Sequence, residues 1–243
     1  MLNRVAVIVP AHNEEELLPR CLGAIDVAVA AVPHLRVEVV VVLDACTDGT
    51  AAACRRAGVR TVVVDAHNVG RARAAGAAYA LRSGAAGLWL ATTDADSRVP
   101  DTWLARQLRH AAAGAEVVVG TVTVDDWSPW PPLLATTYRT AYDRTEGHVH
   151  GANLAASATA YLAAGGFPPR PLAEDRAFVA AARLAGRRIV HALDLPVSTS
   201  GRRVARAPGG FSAFLARLSW IDPRHLAGGW PVGSFDDVGE PAQ

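Results

Sequence analysis

The chain has 243 residues, 51% of them hydrophobic and 19% charged, and its 24 basic and 23 acidic residues leave a net charge of +1. This length permits one large domain with a substantial core. The balanced charge excludes the basic stripe of a nucleic-acid-binding protein and a polybasic membrane patch. All 24 basic residues are arginine, so chemistry that needs a lysine ammonium, such as a Walker-type phosphate loop or a Schiff base, is excluded too.

The three cysteines, Cys21, Cys46 and Cys54, cannot pair completely and form no C-x-x-C motif, so reduced thiols in a cytoplasmic protein are expected. No stretch reaches the ~20 apolar residues that span a bilayer, and the first ten residues lack signal-peptide character. A soluble chain without an integral membrane segment is the expectation.

In chain order, Val5 to Val9 is a β-branched run bounded by Pro10 and predicts a strand buried on both faces. Asn13 with Glu16 fits a capping box. Leu17, Cys21, Ile25, Ala28 and Val32 follow at helical spacing, with Pro19 inside the pattern. Val37 to Leu43 predicts a second strand, and an alanine-rich helix runs to about Ala57. A third strand covers Val59 to Val64, a helix about Gly70 to Leu81, and a fourth strand Leu88 to Thr92. Pro100 opens a helix, and Val117 to Val119 predicts a fifth strand. Later come a helix carrying Tyr138 and Tyr142, a turn at Gly165-Gly166-Phe167-Pro168-Pro169, a helix from Glu174 to Ala185, and a loose Gly- and Pro-rich end.

Strands alternating with helices imply an α/β fold in one large domain, with a mostly parallel central sheet and helices on both faces. Composition shifts after Val124, so residues 1–124 and 125–243 read as two functional halves. Ligands bind beyond the carboxyl ends of such strands. Polar clusters lie there: His12-Asn13-Glu14, Asp44, His67-Asn68, and Asp94-Ala95-Asp96. Taken singly, several of these residues are also ordinary caps and turn formers. Two carboxylates one residue apart at a strand end are suited to a hard divalent cation, Mg2+ or Mn2+, that keeps positions open for phosphate oxygens.

The order Val5–Pro10-Ala11-His12-Asn13-Glu14-Glu15, Asp44 to Thr50, Asn68-Val69-Gly70-Arg71, Asp94-Ala95-Asp96, Gly165-Gly166-Phe167 and Glu174-Asp175 resembles family 2 glycosyltransferases of GT-A fold, of the small soluble bacterial type. The resemblance covers about Val5 to Ile189. It implies a metal-dependent transferase that moves a sugar from a nucleoside-diphosphate sugar to a hydroxyl of a small-molecule or glycan acceptor; one carboxylate base with no evident nucleophile on the opposite face favours inversion, and a retaining enzyme of this fold shares the same early motifs. Pro10, Ala11, Asn13 and Glu14 are implied to line the donor site and Asp44 to contact base or ribose. Asp94 and Asp96 are implied to hold the metal-bound diphosphate, and Asp175 to act as general base. Arginine suits bidentate phosphate binding, which makes Arg71, Arg73, Arg202 and Arg203 candidates on the donor side. His150 and Asn153 match a segment that lies beside donor and acceptor in the family. Glu174 either positions its helix or touches the acceptor, and Trp127 and Trp130 form either an acceptor platform or core packing.

The sequence departs from the family pattern at His12, where an aromatic such as Tyr is common, and at Cys46, where Ser is common. No third metal ligand is evident. Two other readings share parts of the pattern: a non-catalytic nucleotide-sugar-binding protein, and a sugar-nucleotide nucleotidyltransferase, whose usual Gly-rich loop and lysine are missing. The absence of a GxGxxG after the first strand disfavours a dinucleotide-binding fold.

Overall fold

Residues 2–144, 148–204, 206 and 209–220 are described in a computed structural model. Arg4–Ala11 forms β1, with Val5 to Val9 all buried, as expected for a β-branched run between two layers. Helix α1 (Leu18–Ala30) begins later than the Asn13–Glu16 pattern predicts, with Leu17 as N-cap and no side-chain cap. Asn13 is instead left-handed (φ 54°), and its Oδ1 accepts from the Thr47 amide at 2.8 Å. Pro19 falls in the first turn of α1, where its missing N–H costs nothing.

β2 (Arg36–Asp44), α2 (Thr50–Ala57), β3 (Arg60–Val64), α3 (Val69–Leu81) and β4 (Leu88–Thr92) complete the strand–helix alternation. The short β5 (Ser97–Arg98), α4 (Trp103–Ala112) and β6 (Val117–Val124) follow. Next are α5 (Leu134–Arg144), a 3₁₀ turn at Gly151–Asn153, β7 (Leu154–Ser157), α6 (Ala158–Ala163), α7 (Glu174–Leu184), β8 (Ile189–Thr199) and α8 (Phe211–Leu218). The sequence pattern missed β5, β7 and β8.

The eight strands form one sheet in the order β3-β2-β1-β4-β7-β6-β8-β5. β3, β2, β1 and β4 are parallel, with Val7 opposite both Val39 and Ala91. β7 pairs antiparallel with β4 and β6, and β5 antiparallel with β8. Each face of the sheet is covered. One buried cluster joins Val5, Val7 and Val9 to Leu18, Leu22 and Ile25 of α1 and to Trp103 and Leu104 of α4. The other joins Ala6 and Ile8 to Ala72, Ala77 and Ala80 of α3 and Phe178 and Val179 of α7. Period-2 alternation along β1 thus feeds two helical layers.

Contacts group the chain into two compact units, Met1–Thr123 with Val149–Thr199, and Val124–His148 with Ser200–Gln243. The chain passes from the first unit to the second after Thr123, and residues 149–199 belong to the first unit again. Within the second unit, Trp130, Leu134, Tyr138, Leu215 and Leu218 form a small core, and the Trp130 indole N–H donates to the Gly201 carbonyl. The expected loose C-terminal end falls from residue 221 onward, outside the described residues. Among the described residues no helix is long and apolar enough to cross a membrane.

Candidate active site

The site is built where the parallel strands end. Asp44 closes β2, is 5% exposed, and receives three consecutive backbone amides: Ala66 and His67 on Oδ1 (2.7 and 2.9 Å) and Asn68 on Oδ2 (2.8 Å). The carboxylate therefore organises the loop from β3 into α3, and Asn68 in turn caps α3 by accepting from the Arg71 amide at 2.9 Å. Both Asp44 oxygens accept from backbone amides of this loop.

The loops after β1 and β2 are cross-braced. The Glu14 amide donates to Thr50 Oγ1 at 2.8 Å, the Glu15 amide to Asp48 Oδ2 at 3.1 Å, and the Gly49 amide to Glu15 Oε2 at 2.7 Å. His12 Nδ1 meets the Asp44 carbonyl at 2.7 Å, and the His12 and His67 rings meet edge to face, 5.8 Å between centroids. Cys46 donates its thiol to the Ala11 carbonyl at 3.2 Å and behaves as a packed thiol. Its pKa is raised by burial, which argues against a nucleophile.

At the end of β4 the chain turns, with the Ser97 amide donating to the Asp94 carbonyl at 3.0 Å. That turn brings Asp94 and Asp96 onto one short segment. Arg73 of α3 is the hub beneath it. The residue is 3% exposed, and its guanidinium bridges Asp94 Oδ1 through Nη2 and Glu174 Oε1 through Nη1. Charges this deeply buried require such pairing. Gly151 packs directly on the guanidinium, leaving no room for a Cβ. Its amide donates to Asp175 Oδ2 at 2.6 Å, and its carbonyl accepts from Thr92 Oγ1 of β4 at 2.7 Å. Asp94, Glu174 and Asp175 thus converge from two distant segments on one arginine and one glycine.

Burial pushes the Asp175 carboxyl above its ordinary range, with Asp94 adding to the rise; Arg73 and the Arg176 and Gly151 amides oppose it without cancelling it. Among the described residues, four non-glycine positions adopt left-handed backbone conformations: Asn13 (φ 54°), Ala45 (49°), His67 (44°) and Ala173 (57°). Each stands at a strand end or just before Glu174. Such conformations cost about 1–2 kcal/mol for a residue with a Cβ, and strain of this kind concentrates at functional sites.

Of the residues expected on the donor side, Pro10 and Ala11 end β1, and Asn13 and Glu14 lie on the braced loop that follows; Ala11 and Glu14 are buried. Arg71 is exposed on α3, whereas Arg73, two positions on, is drawn into the site. Asn153, expected at the acceptor, lies inside the sheet region. It is 1% exposed, donates Nδ2 to the carbonyls of Thr121 (2.8 Å) and Leu195 (2.6 Å), and accepts from Trp103 Nε1 at 3.0 Å. With its amide committed to three protein partners it ties strands together. Glu174 likewise faces Arg73 at 3% exposure, which favours the helix-positioning alternative over acceptor contact. His150 precedes the 3₁₀ turn and is half-buried. Trp127, Arg202 and Arg203 belong to the second unit. There Trp127, half-buried, packs on Tyr138, 5.4 Å between centroids, and Arg203 lies over the Trp130 ring at 5.4 Å.

Fitness for a divalent cation rests on the donor set. Asp94 keeps 36% of its side chain exposed despite the ion pair. Asp96 Oδ1 accepts from Ser97 Oγ at 3.3 Å and Thr199 Oγ1 at 3.4 Å. Among the described residues no three His, Cys, Asp or Glu side chains gather as a ligand set. Two hard carboxylate donors with the remaining positions left to phosphate and water suit Mg2+ or Mn2+.

The family model described as Glycosyl transferase family 2 matches residues 6–161. No curated protein sequence matches the chain. Solved structures with the same GT-A fold include S. aureus TarS 1–349 in complex with UDP-GlcNAc, at 17% identity and TM-score 0.61, covering 91% of this chain and 69% of that one. Mannosyltransferase PcManGT from Pyrobaculum calidifontis, in complex with GDP-Man and Mn2+, matches at 24% identity and TM-score 0.60, covering 93% and 71%. Glucosyl-3-phosphoglycerate synthase from Mycobacterium tuberculosis, in complex with Mn2+, UDP and glucosyl-3-phosphoglycerate, matches at 19% identity and TM-score 0.59, covering 88% and 76%.

Proposed function

The chain belongs to glycosyl transferase family 2, and from that premise we propose that it transfers a sugar from a nucleoside diphosphate to an acceptor hydroxyl by single displacement with inversion, with Asp175 as general base. The observation that carries this reading is the convergence of Asp94 and Asp175 on Arg73 and Gly151. A donor-side carboxylate and a candidate base are thereby fixed in one rigid frame, as displacement at a single carbon requires.

In this mechanism the loops after β1 and β2, braced by Asp44, Asp48 and Glu15, receive the nucleoside. Asp94 and Asp96 would hold a divalent cation, Mn2+ or Mg2+, whose chemistry is to stabilise charge on the departing diphosphate. TarS, PcManGT and the glucosyl-3-phosphoglycerate synthase carry UDP- or GDP-based ligands in their structures, the latter two with Mn2+; this supports, by likeness of fold, a nucleotide-sugar donor here. Asp175 Oδ1 or Oδ2 takes the acceptor proton as the hydroxyl oxygen attacks the anomeric carbon. In its ionised form a carboxylate with a raised pKa is the better base for this task, because basicity rises with pKa. Inversion is favoured because this reading assigns one base and no nucleophile on the opposite face.

His150 is assigned to the acceptor side, next to the Gly151 amide that orients the base. The roles of Arg71, Arg202 and Arg203 at the diphosphate rest on the family resemblance and their charge. Free Cys21, Cys46 and Cys54 fit a reducing, cytoplasmic setting. Thermal-shift screening of UDP-, GDP- and dTDP-sugars with and without Mn2+ tests donor binding, and NMR assignment of the product anomer tests inversion. Stabilisation by one nucleotide series and an inverted product are expected; retention would remove Asp175 as base.

A further inference from the structure

Arg73 places a permanent positive charge in the floor of the candidate site. Its side chain is 4% exposed, and both terminal nitrogens are committed, one to Asp94 and one to Glu174. Guanidinium does not lose its proton in proteins, and Gly151 closes over it so that it has no space in that direction. The carboxylate it neutralises is the same one assigned above to a divalent cation, and at low exposure the repulsion between two cations sharing a carboxylate is poorly screened.

We propose that Arg73 is a resident counter-cation for Asp94 that makes divalent-cation binding conditional on the nucleotide, an inference that rests on the metal assignment under the proposed function. Without nucleotide, one Asp94 oxygen is engaged by a guanidinium that Glu174 shares, and an added Mn2+ meets the repulsion of that guanidinium beside Asp94 and Asp96. With nucleotide, the diphosphate supplies the negative charge that offsets both cations, so metal and diphosphate enter together. Glu174 tunes the arrangement: by sharing the guanidinium it weakens the hold on Asp94. Arg73 is accordingly a positioning residue and not a phosphate ligand.

The test measures Mn2+ affinity of the full chain, by electron paramagnetic resonance of free Mn2+, alone and with saturating UDP or GDP. Wild type is expected to bind Mn2+ weakly alone and at least tenfold more tightly with one of the nucleotides. Arg73→Gln is expected to bind Mn2+ alone about tenfold or more tightly than wild type, although it removes a buried ion-pair partner. Glu174→Gln should act in the opposite direction, weakening Mn2+ binding in the absence of nucleotide, and it decides the matter if Arg73→Gln does not fold by circular dichroism. Unchanged or weaker Mn2+ binding by folded Arg73→Gln, or unchanged or tighter binding by Glu174→Gln, overturns the inference while leaving the transferase reading intact. Failure of wild type to bind Mn2+ even with nucleotide overturns the metal assignment and the inference together.

Discussion

The backbone amide of Gly151 donates to Oδ2 of Asp175 at 2.6 Å while its Cα packs on the Arg73 guanidinium. A backbone amide is a rigid donor, so it aims the carboxylate without a rotamer of its own. Gly151→Ala would drive a methyl group into the guanidinium and shift that amide. A loss of roughly 1–3 kcal/mol in stability is expected from overpacking, read by urea denaturation. Transfer should fall by about 100-fold, since displacements near 1 Å cost that much.

Asp44 offers a second test, because its two oxygens hold the three amides of residues 66–68. Asp44→Ala leaves those donors without their acceptor, at a cost of about 1–3 kcal/mol. Hydrogen exchange should accelerate at Ala66, His67 and Asn68 and spread to the first turn of α3. Unchanged protection there would mean that another group organises the loop.

Two helical glycines should respond with opposite sign. Gly23 lies within α1 with nothing within 4 Å of where a Cβ would stand, so Gly23→Ala is expected to stabilise by about 0.5–1 kcal/mol through helix propensity. Gly70 opens α3 against the backbone of residues 168–170, with the Arg170 carbonyl oxygen 2.7 Å from where a Cβ would stand. Its amide also donates to that carbonyl at 3.2 Å. Gly70→Ala should therefore destabilise by roughly 1–3 kcal/mol, and thermal melts of the two variants check both directions.

The strand ends were legible because buried β-branched runs stop at polar clusters, and the architecture followed from that alternation. Arg73 was less legible than it could have been. Gly70, Arg73, Gly76, Ala77 and Ala80 are all buried along α3, and their spacing of three or four places Arg73, but not Arg71, on the stripe facing the sheet. The hydrogen bonds of Asn153 were not legible because its partners Thr121, Leu195 and Trp103 lie 32 to 50 residues away, and no local pattern announces them. The capping-box reading of Asn13 failed for the same reason: its side chain serves Thr47, 34 residues on, and not the helix beside it. Local rules find strand ends and caps, whereas burial of a polar group depends on which distant segments close over it.

Asp175 also predicts a pH dependence. Its folded-state pKa is raised above the ordinary value of 3.8, by burial first of all. The folded protein therefore holds this proton more tightly than the unfolded chain. Its ionisation lowers stability as pH rises from 3.8 through the raised value, and the full penalty persists above it. Transfer should fall as pH drops through the raised value, so the acid limb of the kcat profile is expected above that of an ordinary aspartate. At pH 7 Asp175→Asn should melt no lower than wild type, and a clear fall in Tm would contradict the assigned direction.

The most direct measurement is the turnover of Asp175→Asn with the donor identified by thermal shift, alongside its affinity for the matching nucleoside diphosphate. The account predicts kcat lower by about 100- to 10,000-fold with nucleotide affinity within threefold of wild type. Turnover within a few-fold of wild type in a variant that binds nucleotide normally would contradict it.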